Sequence, residues 1–381
     1  MEKEKLLLIP GPSPVHPRII HSLAQPTVSH VGQEMVEEMT GALANLKKIV
    51  FCERGEAFLI AGAGTLAMEM ALLNTVGRGD RVLILSQGYF GHRMAEICRS
   101  FGLEHEVMAC PWGEAVLAED LERELTSKGF QVVVATHVDT ATGACAPVRD
   151  YAEVLRGRDV IFILDGVCAT AGMEERMEDW GIDVILTAAQ KCFGVPPGLA
   201  VLVLSEKALE KRRSLPSIPA YYADLLRWLP IMKDPTKYFS TPCVNEIRAF
   251  YESTRIVLEE GMEQRFLRHS RYARAIRAAM EELGFAPYTD RRFLADTLSV
   301  VKYPPGVEDK AFRSRYYENG VVVAGGLAET AGQVFRMGHM GNISSSQVYF
   351  ALEAMEKTLT ELGFAVKRGA SRGVAKAILG E

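Results

Sequence analysis

Residues 160–191 read VIFILDGVCATAGMEERMEDWGIDVILTAAQK, and the fold follows from this stretch. It contains two apolar runs, and the polar residues after them include Asp165 and Lys191. Lys191 is the only basic residue between Arg176 and Lys207. Burial disfavours an ammonium group and makes the neutral amine, which condenses with aldehydes, accessible. Schiff-base chemistry at Lys191 is therefore the first hypothesis, and a surface lysine on a loop is the alternative.

Similar apolar runs recur along the first two thirds of the chain, with helical patterns between them. Such alternation is typical of an α/β fold in which helices cover a mostly parallel sheet. A helical stretch near 33–50 precedes the first run. The predicted strands are Ala57–Ile60, Arg81–Leu85, Val132–Ala135, Val160–Leu164, Val184–Leu186 and Leu199–Leu204.

The pattern changes in the last third, which predicts a smaller α+β domain. Two long helices are expected at 245–258 and 261–283, and a third, opened by N-capping serines, at 344–362. The strands expected there are Leu298–Lys302, Val321–Ala324 and Gln333–Met337. We predict an N-terminal arm at 1–16, where prolines exclude helix and central strand, a large domain at 17–258 and a small domain at 259–381.

Composition limits the class of protein. The chain has 381 residues, of which 48% are hydrophobic and 24% charged, with a net charge of −5 and no basic stripe. These values favour an enzyme acting on small molecules and disfavour nucleic-acid or membrane partners. The seven cysteines form no CxxC pair, so neither a disulfide framework nor a metal site is predicted. No apolar leader is visible at the N-terminus, which favours the cytoplasm.

A glycine-rich turn, Gly62-Ala63-Gly64-Thr65-Leu66-Ala67, follows one strand and opens a helix, where backbone amides and the helix dipole face an anion. One interpretation is a dinucleotide fingerprint, but the next strand ends in Ser86-Gln87-Gly88 without the acidic residue that holds a ribose. We favour a single phosphate held by Gly64 and Thr65. A purely structural turn is the third possibility.

Asp165 ends a predicted strand, so its carboxylate is expected at the carboxyl edge of the sheet, where ligands of open α/β folds bind. Capping of a following helix is the alternative. Asp165, Lys191 and the Gly64 turn all follow strands, and together they suit a ring nitrogen, an aldehyde and a phosphate. Pyridoxal phosphate carries these three groups.

With these residues in place, the chain resembles the class V aminotransferases, which are fold-type I pyridoxal-phosphate enzymes, and within them the alanine–glyoxylate and serine–pyruvate group. The resemblance covers nearly the full length. Its segments, in order, are Pro10-Gly11-Pro12-Ser13, Ala61-Gly62-Ala63-Gly64-Thr65, Gly88-Tyr89-Phe90-Gly91, Thr136-His137-Val138-Asp139-Thr140-Ala141-Thr142-Gly143, Leu164-Asp165-Gly166-Val167, Ala189-Gln190-Lys191, Tyr238-Phe239-Ser240-Thr241-Pro242 and Val334-Phe335-Arg336-Met337-Gly338.

The resemblance implies a role for each residue. Lys191 would hold the cofactor and then move the substrate proton, and Asp165 would keep the pyridinium nitrogen protonated. The other cofactor contacts that it implies are Phe90 and Val167 against the ring, Thr140 or its neighbour Ala141 near the phenolic oxygen, Gln190, Gly64 and Thr65 at the phosphate, and Tyr238 and Thr241 reaching in from the neighbouring subunit of a homodimer.

Arg336 is the candidate for binding the substrate carboxylate. Apart from His339, it is the only basic residue from Tyr316 to Glu356, and its planar fork suits bidentate recognition. An internal salt bridge is the alternative. We also assign Gly11 to the substrate site.

The leading hypothesis is transamination between a small amino acid, such as alanine or serine, and glyoxylate or pyruvate. No second cation is apparent for a side-chain carboxylate, which disfavours aspartate and glutamate as donors. Aminoethylphosphonate–pyruvate and pyridoxamine–pyruvate transaminases remain open. A cysteine desulfurase lacks its nucleophile, because the last cysteine is Cys243. A nicotinamide dehydrogenase leaves Lys191 and Arg336 unexplained, and a non-catalytic cofactor-binding protein is the remaining alternative.

Overall fold

A computed structural model describes residues 5–380, so residues 1–4 of the predicted arm and residue 381 lie outside the described residues. The strands are, in chain order, β1 (Leu6–Leu7), β2 (Glu56–Ala61), β3 (Arg81–Ser86), β4 (Glu104–Ala109), β5 (Val132–Thr136), β6 (Ile161–Asp165), β7 (Val184–Ala188), β8 (Leu199–Leu204), β9 (Ala286–Pro287), β10 (Leu298–Lys302), β11 (Val321–Val322), β12 (Ala324–Gly325) and β13 (Val334–Gly338).

The helices follow the predicted alternation through the large sheet and dominate the last third of the chain. They are α1 (Pro17–Leu23), α2 (Gln33–Ile49), α3 (Gly64–Thr75), α4 (Tyr89–Ser100), α5 (Ala118–Ser127), α6 (Val148–Leu155), α7 (Glu206–Ser214), α8 (Leu225–Lys233), α9 (Val244–Glu260), α10 (Met262–Glu282), α11 (Asp309–Glu318), α12 (Ser345–Glu361) and α13 (Ala370–Leu379), with short 3-10 turns at Arg291–Phe293 and Ala328–Thr330.

A seven-stranded sheet in the order β2-β8-β7-β6-β5-β3-β4 forms the centre of the large unit. Its pairings are parallel except those of β8, which runs antiparallel to both β2 and β7. Every residue of β5, β6, β7 and β8 is buried, as expected when helices cover both faces. The predicted α/β fold with a mostly parallel sheet is confirmed.

The last third builds a four-stranded antiparallel sheet in the order β12-β13-β10-β9. The single strand predicted at 321–324 is wrong in detail, because it splits into two elements that join different sheets. Its first half, β11, pairs in parallel with β1 from the N-terminus, and its second half, β12, pairs with β13. The arm therefore pairs with β11 in a separate two-stranded sheet.

Local signals explain where the main helices begin and end. Ser344 caps α12, and its hydroxyl accepts from the Gln347 amide while the Gln347 side chain accepts from the Ser344 amide. Gly261, with φ of 83°, makes the turn between α9 and α10. The prolines were expected to exclude helix as far as Pro17, yet α1 begins there, because proline fits the first helical position.

The apolar side chains form two separate clusters. One surrounds the seven-stranded sheet, and the other lies between the small sheet and helices α10 to α13 and includes Leu8 of the arm. Helix α10 contributes to both clusters, Met262 to the first and Ile276 to the second. The predicted domain boundary at 258/259 stays a prediction. No helix within residues 5–380 combines the length and apolar character needed to span a membrane.

Candidate active site

The carboxyl ends of β5, β6 and β7 meet at one edge of the large sheet, because these strands are adjacent and parallel. Asp165 is the last residue of β6, and it pairs in register with Thr136 of β5 and Leu186 of β7. Lys191 follows three residues after the end of β7. The predicted placement of both side chains at this edge therefore follows from strand order.

Asp165 is 2% exposed, and one carboxylate oxygen accepts from the Val167 amide at 3.0 Å. Its other oxygen has no hydrogen-bond partner within residues 5–380. Burial raises the pKa of Asp165 to about 7; the Val167 amide opposes this, the charge of Asp139 adds to it, and Lys191 lowers it. The helix-capping alternative is wrong, because turns, not a helix, connect β6 to β7.

Lys191 is buried, with 8% of its surface exposed, so the surface-loop alternative is wrong. Its amine donates to the carbonyl oxygen of Pro10 in the arm. Gly11 covers the side chain so closely that a Cβ there would lie 2.8 Å from Lys191 Nζ. Ser13 fixes the backbone next to the amine, because its hydroxyl donates to the Lys191 carbonyl at 2.5 Å and its amide to the Gln190 carbonyl at 3.0 Å.

The glycine-rich turn has the geometry of an anion site. Helix α3 begins at Gly64, and the amides of Gly64 and Thr65 donate no hydrogen bond inside the described part of the chain. A Cβ on Gly64 would lie 3.3 Å from a methyl of Val167, which follows Asp165 closely. The buried Oε1 of Gln190 also lacks a partner. Unpaired polar groups of this kind call for a polar ligand.

Phe90 lies in the first turn of α4 and is half-buried. The Arg93 guanidinium stands 4.7 Å above its ring, and Tyr89 contacts it edge-on. The Phe90 amide donates to the carboxylate of Asp139 at 2.8 Å. This contact ties the start of α4 to the turn that follows β5.

That turn also contains Thr140 and Ala141, the two candidates for the phenolic-oxygen contact. The Thr140 hydroxyl lies 2.8 Å from the Cys168 sulfur, and Ala141 is fully buried with its amide directed to Asp139. Gly143, with φ of 72°, closes the turn by donating to the Asp139 carbonyl at 2.8 Å. Which of the two faces a ligand stays a prediction.

Arg336 occupies the middle of β13 and is 9% exposed. Its Nε donates to the Gly325 carbonyl at 2.7 Å and its Nη1 to the Thr140 carbonyl at 3.3 Å. None of the ion pairs formed by residues 5–380 includes it, so the internal salt bridge is wrong. Burial lowers the pKa of Arg336, while the negative field of Asp139 opposes that shift. A buried guanidinium with only carbonyl partners is suited to an external carboxylate.

Two of the residues assigned from the sequence lie elsewhere. Tyr238 is 67% exposed and its ring contacts His30 at a centroid distance of 5.6 Å, while Thr241 is exposed nearby. The structure brings neither of them to Lys191 within the chain.

Three contributors to the site were missed from the sequence. Pro10 and Ser13 are hydrogen-bonded to Lys191 although they precede it by about 180 residues in the chain. Local sequence patterns do not reveal contacts of this range. Asp139 is buried and lies just after β5, in a position similar to that of Asp165 at the end of β6. A carboxylate just after a parallel strand is a signal for a ligand site that can be recognised in the sequence.

Comparison with known proteins agrees with this geometry. Residues 18–328 match the family model described as Aminotransferase class-V. The chain is 36% identical to an uncharacterized aminotransferase of Methanocaldococcus jannaschii, over 99% of this chain and 98% of that protein. It is 33% identical to the L-aspartate–glyoxylate aminotransferase of Paracoccus denitrificans, over 99% of this chain and 96% of the relative.

A solved structure extends the comparison to three dimensions. The ureidoglycine–glyoxylate aminotransferase of Bacillus subtilis matches with a TM-score of 0.95 at 26% identity, over 100% of this chain and 99% of that one. The resemblance drawn from the sequence and the fold-type I architecture that it implied are both confirmed. The chain belongs to the class V aminotransferases.

Proposed function

We propose that this aminotransferase uses pyridoxal 5′-phosphate to transfer the amino group of a small amino acid, alanine or serine in the first instance, to glyoxylate or pyruvate. One observation carries the proposal. A buried lysine amine and a buried carboxylate share one sheet edge, and a buried arginine that has no ion-pair partner among residues 5–380 is bonded to the turn beside them.

The unpaired groups at this edge fit that cofactor. The free amides of Gly64 and Thr65 and the orphaned Gln190 oxygen suit the phosphate. The partnerless oxygen of Asp165 suits the ring nitrogen. Phe90 and Val167 supply apolar surface for the ring. When bound, the cofactor supplies an electron sink for the bonds at the substrate Cα.

The chain's own residues then have distinct tasks. Lys191 would hold the cofactor through Nζ and would move the proton at the donor Cα as general base and acid. Asp165 would keep the ring nitrogen protonated, because its carboxylate favours a cation there and is in turn favoured in its ionised form by that cation. Gly11 and Pro10 of the arm cover Lys191 and exclude water from its amine.

Arg336 is the proposed anchor for the α-carboxylate of donor and acceptor. Its Nη2 has no hydrogen-bond partner in the described residues, and its Nη1 makes only the 3.3 Å contact to Thr140. Two relatives carry glyoxylate in their names, which supports glyoxylate as acceptor. L-aspartate is the competing donor, because one of these relatives is named for it.

We further propose a homodimer as the active unit. The exposed Tyr238 and Thr241 are free to contribute to the phosphate site of a partner subunit. Replacing Tyr238 by Ala should weaken cofactor affinity while light scattering still reports a dimer. A monomeric wild-type protein with full activity would contradict this part. A cytoplasmic location stays a prediction.

A donor panel tests the function. Purified protein with pyridoxal phosphate and glyoxylate is incubated separately with alanine, serine, aspartate and the pyridoxamine and aminoethylphosphonate donors, and glycine formation is followed. Glycine formed fastest with alanine or serine supports the proposal, and a preference for aspartate replaces the donor but keeps the reaction class. No glycine from glyoxylate with any donor, and no alanine from pyruvate with any donor other than alanine, although the cofactor binds, would support the non-catalytic alternative.

A further inference from the structure

Asp139 is a fully buried carboxylate to which the proposed function assigns no task. It lies three residues beyond β5, and its side chain bonds two separate segments at once. One oxygen accepts from the Phe90 amide at 2.8 Å, and the other accepts from the amides of Ala141 and Thr142 at 2.8 and 3.1 Å. Both oxygens are acceptors, which favours the ionised form; burial raises the pKa of Asp139 above its usual value, and these hydrogen bonds oppose that shift.

The surrounding sequence is adapted to this carboxylate. A Cβ on Gly88 would lie 2.5 Å from its Oδ1, so glycine is needed there for close approach. The Gly88 backbone is extended, with φ of 162°, and any residue can adopt that conformation. Glycine is therefore needed there because of the close contact with the Asp139 carboxylate and not because of backbone strain. The start of α4 also places its dipole against the carboxylate, which favours the negative charge.

The two segments that Asp139 joins carry the proposed ligand contacts. Phe90, on one segment, is the proposed ring contact. Thr140, on the other, offers its carbonyl to Arg336 and its hydroxyl to Cys168. The charge of Asp139 also acts on Arg336 and on Asp165. A single side chain thus connects the surface for the ring to the anchor for the substrate carboxylate.

We propose that Asp139 is a positioning residue that holds Phe90 and the 139–143 turn in register, and thereby sets the placement of the cofactor ring and the affinity of Arg336 for the donor carboxylate. Its catalytic consequence rests on the proposed function. The clamp itself does not, because its hydrogen bonds form within the chain alone.

The test compares Asp139→Asn with Asp183→Asn. Asp183 is also a buried carboxylate, and its oxygens accept from the Phe162 amide at 3.0 Å and the Ser205 hydroxyl at 2.8 Å, just before β7 starts and so at the opposite end of the sheet. Both variants lose hydrogen bonds of a buried carboxylate, and Asp183→Asn also loses the ion pair with Lys207 at 3.3 Å. Only Asp139→Asn places a side-chain NH₂ against backbone N–H groups of the two segments that carry the proposed ligand contacts.

Three readouts are measured for both variants. Hydrogen exchange of peptides covering 88–92 and 140–144, without cofactor, should accelerate about tenfold in Asp139→Asn only. The visible circular dichroism of added pyridoxal phosphate should change in this variant. Its donor kcat/KM should fall about 10- to 100-fold, mainly through a higher KM, as expected when the bound donor is displaced by about 1 Å. Asp183→Asn should lower Tm and leave these three readouts at wild-type values.

The outcomes separate the clamp from the proposed function. Unchanged exchange, dichroism and KM in Asp139→Asn overturn the inference, as do equal changes in both variants, which would mean a structural role only. If the wild type neither binds pyridoxal phosphate nor transaminates, the proposed function fails and the exchange arm still decides the clamp. If Asp139→Asn does not fold, Gly88→Ala displaces the same carboxylate and should raise donor KM, with a Tm below that of the wild type but a cooperative unfolding transition; a wild-type KM there overturns the inference.

Discussion

Replacing Arg336 by Lys should weaken donor binding while leaving the cofactor bound. The guanidinium already directs Nε to the Gly325 carbonyl and Nη1 to the Thr140 carbonyl, which leaves Nη2 for an α-carboxylate. A lysine keeps the charge but presents its donors from a single nitrogen, so it does not reproduce the separate contacts of Nε, Nη1 and Nη2. The protein is expected to keep its fold, because no ion pair of the described residues depends on Arg336.

The magnitude follows from the bonds lost. A hydrogen bond to a charged group contributes about 1.5–3 kcal/mol. At about 1.4 kcal/mol per factor of ten, this corresponds to a rise of about 10- to 150-fold in the donor KM or half-saturation constant. The assay is the single-turnover half-reaction of the loaded enzyme, followed by the change in cofactor absorbance at increasing alanine or serine concentration.

Arg313→Lys is the matched control. The Arg313 guanidinium also lies against Gly325 of β12, but it is bonded to Asp309 of its own helix, α11, at 2.7 and 2.6 Å. This variant should lose some stability and keep the wild-type donor dependence. A wild-type half-saturation constant in Arg336→Lys, or an equal rise in both variants, would remove Arg336 from the substrate site.

Two further perturbations test the sheet edge. Burial raises the pKa of Asp165 to about 7 in the folded protein, whereas its pKa in the unfolded chain is about 4. Proton binding by Asp165 therefore stabilises the cofactor-free fold fully below about pH 4, and this stabilisation is lost as the pH rises through about 7. Asp165→Asn should therefore raise the Tm of the cofactor-free protein near pH 8 but not near pH 4, and slow turnover by about 10²-fold or more; the same Tm difference at both pH values would contradict this. Gly11→Ala should reduce the amount of lysine-bound cofactor, because the new Cβ would lie 2.8 Å from Lys191 Nζ at a backbone φ of 96°. Gly79→Ala is the control: its φ is 85° and no atom lies within 4 Å of the new Cβ, so it should cost only backbone strain of about 1 kcal/mol. Equal cofactor content in the two glycine variants would remove Gly11 from the site.

The sequence predicted the buried strands well because their apolar runs are continuous. β8 matches its predicted bounds, and β6 differs by one residue at each end. β4 was missed because its sequence, EHEVMA, is charged and half-exposed. It is the outermost strand of the sheet, where burial does not impose an apolar run. β1 is two residues long and exists only through pairing with β11, which no local pattern encodes.

The site divides in the same way. Asp165, Lys191 and Gly64 were found because each follows a strand that can be recognised locally. The carbonyl partners of Arg336 and the arm residues around Lys191 depend on how distant segments pack, so composition and periodicity carry no signal for them. Their assignment required the three-dimensional structure.

The central claim is that Lys191 attaches pyridoxal phosphate and serves transamination. The most direct measurement is the visible absorption spectrum of the purified protein with pyridoxal phosphate, before and after adding alanine or serine, beside Lys191→Ala. We expect a lysine-bound cofactor band that converts to the pyridoxamine form, and a conversion rate lower by about 10²- to 10⁴-fold or more in the variant. A wild-type protein without such a band, or a variant that converts at the wild-type rate, would contradict it.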